Sequence, residues 1–110
     1  MYARIARFEG LDASRIDETV AAMKQQMDAM RRGETPEGIP EEAVAPLRED
    51  VVRVLDLIDR STGTGAGIVF TDTEEGMKRV DAALSAMTPG EGGGRRTSVE
   101  IYEVTLDESF

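Results

Sequence analysis

Tyr2 and Arg4 stand two residues apart in an alternating opening segment, and Tyr102 stands in a closing segment of the same kind. A guanidinium and two phenols on neighbouring strands could orient an anionic or phenolic ligand. Alternation puts Tyr2 and Arg4 on one face of their strand. The packing alternative places the tyrosines at a subunit seam and pairs Arg4 with Glu100 or Glu103 across the strands. A second set, Met23, Met27, Met30, Met77 and Met87, could line an adaptable apolar cleft, because thioethers reshape around flat ligands. Their helical spacing also suits plain core packing. With Phe70 added, the ligand-pocket candidates are Tyr2, Arg4, Met23, Met27, Phe70, Met77 and Tyr102. No catalytic residue can be assigned.

Weaker signals carry less. Arg95-Arg96 beside Gly92-Gly93-Gly94 could meet an anion, but two adjacent arginines on a loop say little. Gly63, Gly65 and Gly67 have the look of a phosphate loop, yet they fall in a hairpin with no helix start in register. Asp56 and Asp59 read as carboxylates near a strand end, and Glu41-Glu42 and Glu74-Glu75 as solvated helix starts. No set has metal-ligand spacing. The 110 residues include no cysteine, histidine, tryptophan or asparagine, which removes disulfides, thiolate nucleophiles, imidazole acid-base chemistry and histidine-ligated haem. No cofactor and no transition metal are expected. A formal charge of -9 repels the nucleic-acid backbone, so no nucleic-acid partner is expected. No apolar run approaches a membrane span or a signal segment, and the expected location is the cytoplasm, with no membrane partner.

The elements that must position these residues follow from periodicity. Tyr2 to Phe8 alternates as a first strand. A long helix runs from an N-cap at Ser14 to Arg32, with Ile16, Val20, Met23, Met27 and Met30 as one apolar stripe. Gly33 to Asp50 reads as a proline-rich connection with at most one helical turn at Glu41 to Val44. Val51 to Asp59 and Gly65 to Thr71 form a hairpin around Gly63, which is expected at positive φ. Asp72 and Glu75 have capping-box spacing ahead of a second amphipathic helix bearing Met77, Val80, Leu84 and Met87, stopped at Thr88-Pro89-Gly90. Thr97 to Leu106 is the last strand.

Strand, helix, strand, strand, helix, strand is the ferredoxin-like βαββαβ order, an α+β class with a four-stranded antiparallel sheet and two helices on one face. One domain over residues 1–110 is expected. The strands are apolar on both parities, and Phe8, Val51 or Val52, Val69 or Phe70, and Tyr102 or Ile101 cannot all lie under two helices. A second copy of the sheet is the simplest cover, giving a homodimer through sheet faces.

Met1-Tyr2-Ala3-Arg4-Ile5, Asp59-Arg60-Ser61-Thr62-Gly63, Asp72-Thr73-Glu74-Glu75, Asp81 to Met87 and Ser98 to Val104 together resemble the antibiotic-biosynthesis-monooxygenase-like superfamily of dimeric α/β-barrel proteins, over nearly the whole chain. The resemblance is nearest to small uncharacterised bacterial members. It implies a site in the cleft between helices and sheet, which in the family's oxygenases uses asparagine, tryptophan and, for haem, histidine. This chain has none of these, and Thr71 stands where related sequences often carry an aromatic residue. The expectation is a small dimer that binds a small apolar or aromatic molecule without catalysis. The alternative is a cofactor-free monooxygenase acting on a quinol-like or polyketide-like aromatic substrate. An accessory subunit of another enzyme is a third reading.

Overall fold

A computed structural model of the chain describes residues 1–88 and 93–110. The expected helix stop at Pro89-Gly90 and the first glycine of the Gly92–Gly94 cluster lie outside the described residues. Four antiparallel strands, β1 (Tyr2–Glu9), β2 (Val51–Asp59), β3 (Thr64–Thr71) and β4 (Arg95–Glu103), form one sheet in the order β2-β3-β1-β4. Helices α1 (Ile16–Arg31) and α2 (Glu41–Asp50) fall between β1 and β2, and α3 (Glu74–Ser85) between β3 and β4. β1 and β3 are therefore central, and each strand-helix-strand passage skips one strand. No helix among the described residues is long and apolar enough to cross a membrane.

Among the described residues there are three α-helices, not two. Glu41–Asp50 is a ten-residue helix with Pro46 inside it, where the sequence suggested a single turn. Proline removes one backbone donor and costs a helix interior of the order of 3 kcal/mol. Burial outweighs that loss: Ala43 and Val44 join Met30 and Ile39 in an apolar cluster, and Leu47, Met27, Ala83 and Met87 pack around it. Local propensity loses to tertiary packing here.

The caps also move. Asp12, not Ser14, starts the first helical segment: its carboxylate accepts from the Ser14 amide at 3.0 Å and from the Ser14 hydroxyl at 2.6 Å, opening a 3-10 turn at Ala13–Arg15. Thr73, not Asp72, caps α3, its hydroxyl accepting from the Gly76 amide at 3.0 Å. β4 begins two residues earlier than expected and ends at Glu103, although the Val104 amide still donates to the Met1 carbonyl at 2.8 Å.

The hairpin turns as read. Gly63 has φ 68°, its amide donates to the Asp59 carbonyl, and its own carbonyl accepts from the Leu11 amide at 2.9 Å. A side chain there would be strained, and its Cβ would also meet the Leu11 carbonyl oxygen at 3.0 Å. Gly63→Val is expected to destabilise the fold by about 1–3 kcal/mol in urea unfolding. An unchanged midpoint would contradict this turn geometry.

Register divides the sheet into two faces, because directly paired residues share a side. The helix-facing rows are Val54-Val69-Arg4-Ile101, Asp56-Gly67-Ala6-Val99 and Ile58-Gly65-Phe8-Arg96. The open rows are Arg53-Phe70-Ala3-Tyr102, Leu55-Ile68-Ile5-Glu100 and Leu57-Ala66-Arg7-Ser98. A register shift between Arg7 and Phe8 lets Arg96 fall on the helix side. There its guanidinium donates to the carbonyls of Leu84, Ser85 and Met87, satisfying the C-terminal end of α3.

Candidate functional site

Arg4 points into the helix layer and is 3% exposed. Its Nε donates to Asp81 Oδ1 at 2.9 Å and its Nη2 to Ser85 Oγ at 3.2 Å. The alternative pairing with Glu100 or Glu103 is therefore wrong. Cross-strand parity was the reason for it, and the carboxylate that Arg4 meets comes instead from α3, packed on β1 and β3. Arg4 is committed to holding α3 on the sheet.

The seven candidates do not converge. Tyr2 shares the helix-facing side with Arg4, as alternation requires, and is half-buried opposite Thr71 and Glu103. Met77 is fully buried in α3, beside Val80 in the core. Met27 is half-buried against the cluster built by α1 and α2, and Met23 is half-buried one turn earlier. Phe70 and Tyr102 belong to the open face, on the other side of the sheet from Tyr2 and Arg4. The arrangement of Tyr2, Arg4 and Tyr102 around one ligand is excluded by this parity.

The open face has an organisation of its own. Glu100 sits between two donors, with Arg7 Nε at 3.1 Å and the Tyr102 hydroxyl at 2.6 Å. These hydrogen bonds, Tyr102 first, hold the Glu100 carboxyl below its usual range, and the same contact raises the Tyr102 phenol. The Arg53 guanidinium lies 5.6 Å from the centroid of the Phe70 ring, a cation-π contact. Between these groups run Leu55, Ile68 and Ile5, with Leu57 and Tyr102 half exposed at the sides. At the hairpin end the face opens into a depression of about 480 Å³ lined by Arg7, Leu57, Asp59, Thr64, Ala66 and Thr97.

On the helix side, α1 is tied at its two ends. Arg60 of the hairpin pairs with Asp17 at 2.7 Å, and Met27 and Met30 pack on α2. Between these anchors Val20 of α1 is 40% exposed and Met23 half-buried. Val54 on the helix-facing side of β2 is likewise 40% exposed, so apolar surface remains open along both elements.

Asp56, read from the sequence as an ordinary strand-end carboxylate, stands in this region. Its row neighbours are Gly67, Ala6 and Val99. The residue is exposed as a whole, yet partial desolvation of its carboxylate raises its pKa, with no hydrogen bond or cation to oppose the rise. Because the folded-state pKa lies above the unfolded one, the penalty is absent at low pH, grows as pH rises through the folded-state value, and is complete above it. Asp56→Asn is therefore expected to raise the thermal midpoint at pH 7 and to lose that gain in acid. A lower midpoint at pH 7 would contradict it. The sequence signal was available: an acidic residue interrupting the apolar parity of Val52, Val54 and Ile58. Among the described residues no group of three carboxylates could hold a metal ion.

No family model matches the chain, and no curated protein matches it.

Proposed function

We propose that the chain is a ferredoxin-like protomer that pairs through its open sheet face into a dimeric α/β barrel, as the antibiotic-biosynthesis-monooxygenase-like proteins do, and binds a small apolar or aromatic molecule between α1 and the sheet without catalysing its conversion. Element order and the strand order β2-β3-β1-β4 support the protomer fold. Dimerisation is supported by the apolar row Leu55-Ile68-Ile5 and by charge. A chain of net charge -9 repels its copies over most of its surface, whereas the open face offers Arg7 and Arg53 against Glu100. Two-fold pairing hides the same row on both chains at once.

The observation that carries ligand binding is the apolar surface left open along Val20, Met23 and Val54, where a helix lying fully on a sheet would close it. The reading without catalysis is supported by residue chemistry: Arg4 is held by Asp81, and Tyr102 lies on the other face. Titration with 2-naphthol followed by amide NMR is the test. Saturable shifts at Val20, Met23, Val54 and Phe8 are expected, with no oxygen consumed when a quinol is supplied. Shifts confined to Phe70 and Tyr102, or oxygen uptake dependent on the protein, would overturn the reading.

A further inference from the structure

The sheet ends in two edge strands, β2 and β4. β2 turns one row of backbone donors and acceptors away from β3, and Val52, Val54 and Leu57 stay exposed along it. β4 overruns the start of β1: the Val104 amide still donates to the Met1 carbonyl, and from Thr105 onward no strand of the described residues lies beside the chain. This segment opens Val104-Thr105-Leu106, a β-branched pair and an aliphatic residue suited to a strand, yet Leu106 and Phe110 are exposed. Two charges are also unmatched among the described residues. Arg53 lies over the Phe70 ring without a carboxylate, and Glu108 meets no cation.

Resting on the two-fold pair proposed above, we infer that residues 104–110 form an exchanged strand, which adds to the β2 edge of the second copy with Leu106 opposite Leu55. Side-chain parity and charge select this register. Alternation carries the open face from Tyr102 to Val104, Leu106 and Glu108, and on β2 that face holds Arg53, Leu55 and Leu57. Antiparallel pairing of Leu106 with Leu55 sets Val104 against Leu57 and Glu108 against Arg53, so apolar meets apolar and the two unmatched charges meet each other. A slide of two residues puts Val104 against Asp59 in one direction and Glu108 against Val51 in the other. The segment of the same chain is no substitute. It leaves from the opposite edge, three strand spacings or about 14 Å away, and crossing that distance takes about four residues, too many to leave a run along β2. Each chain gives one segment and accepts one, so the exchange closes at two copies. Main-chain hydrogen bonds supply the affinity and the paired side chains the register.

The chain contains no cysteine, so two introduced thiols are the only ones present. Asp56 and Thr105 stand opposite each other in this register, which brings their Cα atoms to about 4.5–5.5 Å, within disulfide reach. Under mild oxidation the full chain carrying Asp56→Cys and Thr105→Cys is expected to form a covalent dimer, and the chain carrying Asp56→Cys and Asp107→Cys, one step out of register, to do so at least about tenfold more slowly. Subunit exchange between isotope-labelled and unlabelled chains, followed by native mass spectrometry, tests the charge pair. Arg53→Glu is expected to speed exchange at least about fivefold, and adding Glu108→Arg to return it to within about twofold of wild type. Adding Asp107→Arg instead restores the same net charge on the other face of the segment and is expected to give no rescue. If the wild type is a dimer but the two cysteine pairs cross-link equally or not at all, or both arginine substitutions rescue alike, the exchanged strand is overturned and pairing through the sheet faces stands. If the wild type is a single chain by native mass, both fall.

Discussion

Asp81→Ala is expected to cost about 3 kcal/mol of stability, and Arg4→Met about 1 kcal/mol, although each removes one partner of the same ion pair. The asymmetry comes from burial. The Arg4 side chain is 4% exposed and the Asp81 side chain 35%. Without Asp81 the guanidinium stays inside the protein with Ser85 Oγ as its remaining side-chain partner, and a buried unpaired charge is among the few defects that cost several kcal/mol. Without Arg4 the carboxylate has water within reach, and methionine restores most of the packed volume of the arginine stem. Urea unfolding at fixed protein concentration is the measurement, since pairing of chains would make the midpoint depend on concentration. Equal losses, or a larger loss for Arg4→Met, would mean that Arg4 holds α3 by its stem and not by its charge.

The largest effect on assembly is expected from Ile68→Asp. Ile68 occupies the middle of the open face, between Leu55 on β2 and Ile5 on β1. In the proposed two-fold pair every substitution appears twice, so one change would seat two carboxylates in the apolar centre of the proposed seam. Each loses its hydration without a partner, and the dissociation constant is expected to rise at least about 100-fold. Within one chain Ile68 is only half-buried, so the variant keeps its fold, visible as an unchanged far-ultraviolet circular dichroism spectrum. Ile68→Val preserves shape and polarity and is expected to leave assembly unchanged. Light scattering that shows the same mass for wild type and Ile68→Asp would contradict the placement of the interface.

Four strands and the two long helices were legible because their signals are periodic: alternation in Tyr2 to Phe8, and the 3-and-4 spacing of Met23, Met27 and Met30 and of Met77, Val80 and Leu84. Gly63 was legible because a tight hairpin needs one residue at positive φ. Helix α2 was not, since Pro46 argues against a helix in any local window, while the burial of Ala43 and Val44 that stabilises it depends on α1 and α3. Parity in β1 put Tyr2 and Arg4 on one face correctly. It did not place Tyr102, because the relation between β1 and β4 depends on register, and register is a property of two strands. The partner of Arg4 was missed for a similar reason: Asp81 is 77 residues away in sequence and reaches Arg4 only when α3 lies on β1. Asp56 was passed over because a carboxylate near a strand end is ordinarily solvated, and only the pairing with Gly67 shows where it stands.

Pairing of two chains through Leu55, Ile68 and Ile5 is the claim on which the quaternary reading turns, and sedimentation velocity at micromolar concentration tests it most directly. An obligate interface of this kind buries of the order of 2,000 Å² or more and does not dissociate in that range. The wild-type chain is expected to sediment as one species of twice 12.0 kDa, and Ile68→Asp as one species of 12.0 kDa. A clean 12.0 kDa species for the wild type would contradict the pairing and leave the open sheet face without its proposed cover.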